Sequence, residues 1–346
     1  MIKQNSKLKG LVIGCGSIGT RHLHNLKTLG LKNIAIYDID RKKINELSKK
    51  YNVEFFYDLD SALSENFDFS IVCTYPNLHT KIANLCIKNN QHVFIEKPIS
   101  SDLKNVKSML KRADSKKLKI AVGYNTRFDK GLVYLKNKLS QSEISTPLSI
   151  TSQWGQHIKF WRPGDNYKNH YILKKGSGII LDASHEYDYI RWLLNDNVNS
   201  VYCQINKSTT IKTETESNAI ITMKFNRGTI VNLIIDYLRP QYERKCQIIG
   251  EKGDLKWEYI VKKAGWKNYN IQASSNITTS FVDGKKNIHE KFLVKLNDMY
   301  VSEMKDFIQS ISENRQPLVN GWDGFETLKI GLSALKSAQE NKVIRL

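Results

Sequence analysis

The sequence predicts an α/β protein of two domains: a doubly wound parallel sheet, then an α+β domain with a large, mostly antiparallel open sheet. Between residues 8 and 123, short apolar runs alternate with amphipathic helical stretches, as in parallel strands covered by helices. Beyond residue 124, strands alternate with turn signals, which indicates antiparallel pairing. A chain of 346 residues is long enough for two cores, and we expect domains at 1–125 and 126–346.

The first domain is expected to hold six parallel strands joined by right-handed crossovers. The strands are predicted at residues 8–14, 33–38, 53–57, 67–73, 92–95 and 119–123. The helix after the first strand is predicted to end at residue 29, and later helices are predicted at 41–50, 78–88 and 103–114. Six strands in this arrangement match the fold that binds dinucleotides.

The second domain is expected to begin with a strand at 149–154 and a helix at 183–194. Strands at 218–225 and 229–237 are joined by the hairpin connection Asn226-Arg227-Gly228. A second pair, 244–249 and 255–259, flanks a turn at 250–253, and helices are predicted at 296–311 and 324–339. Tyr187, Tyr189 and Trp192 lie at helical spacing and are interpreted as core contacts.

The composition restricts the classes of partner. The formal charge is +19, yet the 53 Lys and Arg residues are spread along the chain without a tract of five. We interpret this as a compositional bias and expect no nucleic-acid partner, although a positive field would help to capture an anionic small substrate.

The five cysteines have no metal-type spacing, so we expect reduced thiols and no metal. No apolar run is long enough for a bilayer and no secretion signal precedes Leu11, which predicts a cytoplasmic protein without a membrane partner.

The clearest binding motif is Gly14-Cys15-Gly16-Ser17-Ile18-Gly19, a G-x-G-x-x-G turn between the first strand and its helix. Gly14 allows the tight turn, Gly16 lets the backbone approach a pyrophosphate, and Gly19 lets the helix pack on the strand. The N–H groups at the helix start would face the phosphates. Asp38, at the end of the next strand, would accept hydrogen bonds from the adenosine ribose and repel a 2′-phosphate. These features predict a Rossmann domain that binds NAD, with Arg41 leaving NADP as an alternative.

Two more motifs follow predicted strands, at the sheet edge where ligands bind in this fold. They are Thr74-Tyr75-Pro76-Asn77-Leu78-His79 and Glu96-Lys97-Pro98. A partly buried lysine near other cations can have a lowered pKa, so Lys97 could hydrogen-bond a substrate hydroxyl and assist its deprotonation.

These motifs, with Gly123-Tyr124-Asn125-Thr126-Arg127-Phe128, resemble the glucose–fructose oxidoreductase/inositol dehydrogenase/MocA (Gfo/Idh/MocA) family from Leu11 to the C-terminus. The resemblance implies reversible oxidation of a secondary alcohol on a sugar, cyclitol or sugar nucleotide. It also implies that the open sheet forms a subunit interface, so we expect a homodimer or homotetramer. By resemblance, Lys97 contacts both substrate and cofactor. Tyr124 is expected at the substrate. Besides the glycine turn, Asp38 and Lys97, the cofactor is expected to contact Thr74, Tyr75, Pro76, His79, Glu96 and Asn125.

A second constellation is the glycine-rich turn from residue 176 and the helix predicted after it, which contain Asp182, His185, Glu186 and Asp188. In the family a histidine at this helix start acts as general acid/base, and His185 matches it by the following Glu-x-Asp-x-x-x-Trp pattern. An imidazole with an ordinary pKa near 6.5 suits proton transfer at neutral pH. The family aspartate lies four residues before the histidine, whereas Asp182 lies three before and position 181 is Leu. Asp182 is expected to orient His185 or the substrate.

Two loops are candidate contacts, one for the cofactor and the substrate (Trp161 and Arg162 at the cofactor, Arg162 also at the substrate) and one for the substrate, with packing loops as the alternative interpretation. Trp161 could form an apolar wall at the nicotinamide, and Arg162 could contact an anion or a carbonyl. Arg239 or Tyr242 could reach the substrate from a connection between two strands. Both loops resemble segments in a subgroup of the family linked to surface-sugar biosynthesis.

The predicted function is hydride transfer between NAD(P) and a secondary alcohol or ketone of a sugar, favouring a sugar nucleotide or an acidic sugar of surface-glycan biosynthesis. One alternative keeps the fold but acts on C=C or C=N bonds, or uses bound NAD for transient oxidation during glycoside cleavage or epimerisation. Another is a non-catalytic NAD-binding scaffold or sensor. The retention of both Lys97 and His185 favours carbinol oxidation over these alternatives.

Overall fold

The computed structural model describes residues 7–161, 167, 171–173, 177–261 and 269–346. The chain forms two compact units. The first contains Met1–Asn125 and Tyr300–Leu328, and the second contains Thr126–Met299 and Lys329–Leu346. Residues 300–328 thus return to the first unit, which differs from a single boundary near residue 125.

The first unit is built on a six-stranded, all-parallel sheet in the order β3-β2-β1-β4-β5-β6. Its strands are β1 (Gly10–Ile13), β2 (Ile34–Tyr37), β3 (Glu54–Phe56), β4 (Phe69–Val72), β5 (His92–Ile95) and β6 (Ile120–Val122). Its helices before residue 126 are α1 (Ser17–Thr28), α2 (Arg41–Tyr51), α3 (Leu59–Ser64), α4 (Pro76–Lys88) and α5 (Val106–Ser115). The doubly wound sheet predicted from the alternating pattern is confirmed.

Local chemistry sets several of these elements. Every residue of β1 and β4 is buried, as expected for strands covered on both faces. The side chain of Asp40 caps α2 by accepting a hydrogen bond from the Lys43 N–H, and Asn52 ends the helix in the left-handed conformation. The short helix α3 was not predicted from the sequence, and the Asp58 side chain caps it in the same way.

The helix α9 (Asp298–Ser312) carries the chain back into the first unit. Phe307 is fully buried and packs edge-on against Phe69 and Phe94 of the parallel sheet. The N–H of Val122 also donates to the Val319 carbonyl. The core of the first unit therefore needs a segment that is far away in sequence.

The second unit is built on a nine-stranded sheet in the order β14-β13-β12-β11-β7-β10-β9-β8-β15, counted over the described residues. Its strands are β7 (Pro147–Gly155), β8 (Val198–Asn206), β9 (Asn218–Phe225), β10 (Ile230–Asp236), β11 (Glu243–Gly250), β12 (Gly253–Val261), β13 (Gln272–Phe281), β14 (Ile288–Lys295) and β15 (Ile344–Arg345). The β7–β10 pair is parallel and the other neighbouring strands are antiparallel. This confirms the mostly antiparallel sheet.

The helices of the second unit before residue 200 are α6 (Lys130–Ser140), α7 (Ile179–Asp182) and α8 (His185–Leu194). The helix predicted over 183–194 is α8, which begins two residues later, and the short helix α7 before it was not predicted; Ala183, with ψ 20°, ends α7 and separates the two. Tyr187 and Tyr189 lie in the core and Trp192 packs against it, which confirms their interpretation as packing residues.

The last helix, α10 (Gly321–Glu340), contains the division between the units. It is amphipathic rather than continuously apolar, and its buried positions include Leu328 and Ala334. Among the helices of the described chain, none combines the length and apolar character that a membrane crossing requires.

Candidate active site

The glycine turn lies between β1 and α1. Gly14 has φ +89°, and a Cβ there would lie 2.8 Å from the Cys73 carbonyl oxygen. A Cβ on Gly19 would overlap the Gly14 carbonyl oxygen, whereas a Cβ on Gly16 would have no atom within 4 Å. The structure thus explains Gly14 and Gly19 by packing within the protein and leaves open space beside Gly16.

Asp38, just beyond β2, braces this turn. Its Oδ2 accepts a hydrogen bond from the Cys15 N–H at 2.6 Å, and its Oδ1 accepts one from the Asp40 N–H at 2.9 Å. Burial, followed by the charge of Asp38, raises the pKa of the Cys15 thiol to about 12, so this cysteine stays protonated at neutral pH. Ile39 is 88% exposed beside Asp38, an apolar position that the sequence analysis did not single out.

The predicted residues after β4 surround a buried histidine. Pro76 is the first residue of α4, and Tyr75 before it is exposed. The ring nitrogens of His79 lie 2.9 Å from the Pro98 carbonyl oxygen and 3.0 Å from that of Thr74, so the ring joins the segments that follow β4 and β5. Burial lowers the pKa of His79, although both carbonyls and Glu96 act in the opposite direction. The Thr74 hydroxyl is buried without a hydrogen-bond partner among the described residues.

Glu96 is buried directly after β5. Its Oε2 accepts a hydrogen bond from the backbone N–H of Lys97 at 3.0 Å, and its Oε1 lies 2.6 Å from Nε2 of His22. Lys97 itself is half-buried, and its peptide bond to Pro98 is cis. A Cβ on Gly123 would lie 3.0 Å from Glu96 Oε1, so this glycine leaves room for the carboxylate.

The motif after β6 is buried rather than open. Tyr124 has no exposed surface and Asn125 is 4% exposed. A side-chain hydrogen bond from Asn125 acts on Tyr300, whose pKa is raised chiefly by burial. Asn125 is thus joined to a tyrosine of α9, a partner that the sequence motif gave no means of identifying.

In the second unit, the segment that carries Asp182 and His185 begins against the carboxylate of Glu216. The backbone N–H of Ile180 donates to Glu216 Oε1 at 3.1 Å, at the start of α7. The preceding Gly178 has φ +114°, and a Cβ there would overlap the Glu216 carboxylate. Both Asp182 and His185 are half-buried.

The residues after His185 explain the Glu-x-Asp pattern. Asp188 forms a buried bidentate pair with Arg127, at 2.8 and 2.7 Å. Glu186 pairs with Arg244 at 2.7 Å, and these side chains are also buried. Two buried ion pairs therefore fix the first turn of α8.

The candidate loop residues are tied to the second unit. Trp161 donates from Nε1 to the Gln156 carbonyl at 3.2 Å and packs edge-on against Trp154 and Tyr237. Arg162 lies outside the described residues.

Arg239 lies between two carboxylates. Its Nε donates to Asp236 at 2.7 Å, and an Nη contacts Glu243. Burial raises the pKa of Tyr242, predicted beside it, to about 12. The charge of Arg239 is thus largely balanced within the unit.

Family models match both parts of the chain. Residues 8–124 match the NAD-binding Rossmann-fold domain of the Gfo/Idh/MocA oxidoreductase family, and residues 136–346 match its C-terminal α/β domain. A myo-inositol 2-dehydrogenase of Thermotoga maritima is 28% identical, with 97% of each chain covered.

Solved structures show the same fold. A myo-inositol 2-dehydrogenase from Lactobacillus plantarum superposes with a TM-score of 0.79 at 19% identity, covering 98% of this chain and 99% of the other. The WlbA dehydrogenase from Bordetella pertussis, in complex with NADH and UDP-GlcNAcA, superposes with a TM-score of 0.81 at 19% identity and the same coverage.

Proposed function

This chain belongs to the Gfo/Idh/MocA oxidoreductase family and carries its NAD-binding Rossmann domain, and we propose that it oxidises a secondary alcohol of an anionic sugar derivative to the ketone, or reduces the ketone. The observation that supports this most is Lys97, half-buried just beyond β5 with its backbone fixed by Glu96. The excess of 19 positive charges favours an anionic substrate, and the WlbA relative binds one such compound, UDP-GlcNAcA. A sugar nucleotide or an acidic sugar of surface-glycan biosynthesis meets this requirement.

The residues around the glycine turn fit NAD. The open space beside Gly16 admits a pyrophosphate, and the start of α1 offers free N–H groups to it. Asp38 would accept hydrogen bonds from the adenosine ribose, and the exposed Ile39 would cover one face of the adenine. The buried, unpartnered hydroxyl of Thr74 offers a further polar contact beyond β4.

The expected cofactor contacts divide into groups that face the cofactor and groups that support them. Gly14, Ser17, Ile18 and Gly19 form the turn, with Tyr75 and Pro76 beside it at the start of α4. His79 and Asn125 are buried: His79 joins the segments after β4 and β5, and Asn125 is hydrogen-bonded to Tyr300 of α9. Trp161, in the second unit, is proposed as an apolar contact.

Bound NAD supplies the hydride acceptor or donor, and the protein manages the proton. Lys97 would hydrogen-bond the substrate oxygen and take or return its proton. His185, whose helix is fixed by two buried ion pairs, is proposed as a second proton-handling group, oriented by Asp182. Tyr124, Arg239 and Tyr242 are proposed as substrate contacts, together with Arg162.

The deciding experiment is to follow NADH absorbance with a panel of free sugars, cyclitols, uronic acids and UDP-, GDP- and CMP-linked sugars. We expect the highest kcat/KM with an anionic sugar, and a fall in that value as salt is raised. Turnover confined to neutral sugars, with no salt dependence, would contradict the proposed substrate class. His185→Gln should remove the acid limb of the pH profile of kcat.

A second candidate substrate is a cyclitol. It is favoured by the relative at 28% identity over nearly the whole chain, which is a myo-inositol 2-dehydrogenase. The same panel separates the two, because a cyclitol carries no charge and its kcat/KM should respond little to salt.

A homo-oligomer is proposed as the working assembly. On the outer face of the nine-stranded sheet, apolar side chains are well exposed, among them Ile220 at 44%, Ile230 at 52% and Ile260 at 49%. A second copy of the sheet would cover them. Light scattering on purified protein tests this, and a monomer at micromolar concentration would contradict it.

A further inference from the structure

Three buried side chains of the first unit meet behind Lys97. They are His22 on α1, Glu96 after β5 and Glu303 on α9. One ring nitrogen of His22 and one carboxylate oxygen from each glutamate lie within 4.8 Å of one another. Their exposed fractions are 0%, 8% and 3%, so water reaches none of them freely.

Glu303 is the unexplained member of this cluster. Neither of its carboxylate oxygens has a hydrogen-bond donor among the described residues. An ionised carboxylate buried without donors is strongly unfavourable, and the carboxyl group of Glu96, which accepts the Lys97 N–H, would repel a second negative charge beside it.

The surrounding charges also leave Glu303 without a partner of its own. The buried cation is Arg21, whose guanidinium lies 4.6 Å from the centre of the Tyr300 ring, and one cation balances one carboxylate. The other titratable groups that face the cluster are Cys73 beyond β4, His79 on α4 and Tyr300 itself. If Glu303 is protonated, the positive charge of Arg21 balances the one remaining negative charge on the two glutamates.

We propose that Glu303 is a neutral carboxylic acid whose proton is shared with Glu96, and that this one-proton cluster positions Lys97 through the Glu96 carboxylate. The role assigned to Lys97 rests on the proposed function, whereas the shared proton does not. Glu303 is thus a positioning residue, because it acts on Lys97 only through Glu96.

The geometry of His22 agrees with a single proton between the glutamates. Its Nε2 lies 2.6 Å from a carboxylate oxygen and must donate, while its Nδ1 is buried without a partner among the described residues. A ring proton on Nε2 satisfies this contact, whereas an N–H on Nδ1 would be left unpaired. Burial, and then the charge of Glu96, raise the pKa of Glu303 far above its usual range, with Arg21 acting in the opposite direction.

The same three residues could in principle hold a divalent cation, since one imidazole and two carboxylates are metal ligands. Arg21 argues against it: two carboxylates, a divalent cation and a buried guanidinium would leave an uncompensated positive charge. Metal content is therefore an outcome of the test.

The first measurement is independent of activity. Infrared difference spectra between the wild-type protein and Glu303→Gln at neutral pH should show the carbonyl band of a protonated carboxylic acid in the wild type alone. Glu46→Gln, an exposed glutamate on α2, is the matched control and should leave the band in place. A missing band, or a stoichiometric metal that Glu303→Gln loses, overturns the shared proton.

The second measurement tests positioning. Glu303→Gln, which is neutral and can donate to Glu96, should keep kcat within about threefold of wild type, whereas Glu303→Ala should lower kcat by about 10- to 100-fold. NAD affinity, measured by fluorescence, should be unchanged in both. Equal losses of kcat in both variants overturn the positioning role. Unchanged turnover in Lys97→Ala would instead refute the proposed function, and the infrared band would still decide the proton.

Discussion

The carboxylate of Asp38 accepts a hydrogen bond from the backbone N–H of Cys15 at 2.6 Å. The acidic residue that ends β2 therefore fixes the glycine turn that ends β1, in addition to any contact with the cofactor. If NAD binds as proposed, Asp38 would both hold the turn that faces the pyrophosphate and contact the adenosine ribose.

Asp38→Ala should weaken NAD binding by about tenfold or more, because both the ribose acceptor and the brace on the turn are lost. NADP binding should fall less, since removing the carboxylate also removes its repulsion of the 2′-phosphate. The measurement is the ratio of the two Kd values by fluorescence titration, with Glu46→Ala as an exposed control. An unchanged ratio would contradict the assigned preference.

The glycines of the turn should separate into two kinds. Gly16→Ala should fold with little change in Tm, because its added methyl meets no protein atom, yet it should weaken NAD binding. Gly19→Ala should destabilise the fold by about 1–3 kcal/mol, since its methyl would overlap the Gly14 carbonyl oxygen. Thermal unfolding and NAD titration of both variants test this. A destabilised Gly16→Ala with normal NAD affinity would reverse the assignment.

Lys97→Ala should leave NAD affinity within about threefold while lowering kcat by about 10²- to 10⁴-fold, since a proton-transferring group is lost. Lys104→Ala, an exposed lysine of the same unit, is the matched control and should keep both values. Turnover and NAD titration are measured on the same preparations. A Lys97→Ala enzyme with normal kcat would remove the residue from the chemistry.

Asp188→Ala should lower the free energy of unfolding by about 3–5 kcal/mol, because it leaves the buried Arg127 guanidinium without its bidentate partner. Glu143→Ala breaks the more exposed pair with Lys138 and should lower it by less than about 1 kcal/mol. Denaturant unfolding measures both. A loss below about 1 kcal/mol in Asp188→Ala would mean that the pair does not hold α8 in place.

The sequence was sufficient for the parallel sheet and the glycine turn because both depend on local patterns. The hydrophobic period, the apolar runs and the spacing of the glycines are all patterns within about thirty consecutive residues. It could not show that Phe307 completes the core of the first unit, since that contact joins distant segments. His22 and Glu303 were missed for the same reason: a histidine and a glutamate on amphipathic helices have ordinary spacing, and only the fold brings them to Glu96. Ile39 differs from these residues, because it directly follows Asp38 in the sequence and could have been predicted as part of the site.

Glu303→Gln should change how stability depends on pH. A carboxyl group whose pKa is raised by folding binds its proton more tightly in the folded state, so it contributes stability below its unfolded pKa of about 4.3. That contribution is lost as pH rises from this value toward the folded pKa, by about 1.4 kcal/mol for each pH unit. The glutamine side chain does not titrate, so the variant should gain stability relative to wild type as pH is raised above about 4.5. Denaturant unfolding at several pH values measures the difference, with Glu46→Gln expected to follow wild type throughout. A difference that stays constant with pH would show that Glu303 ionises in the folded protein as it does in the unfolded chain.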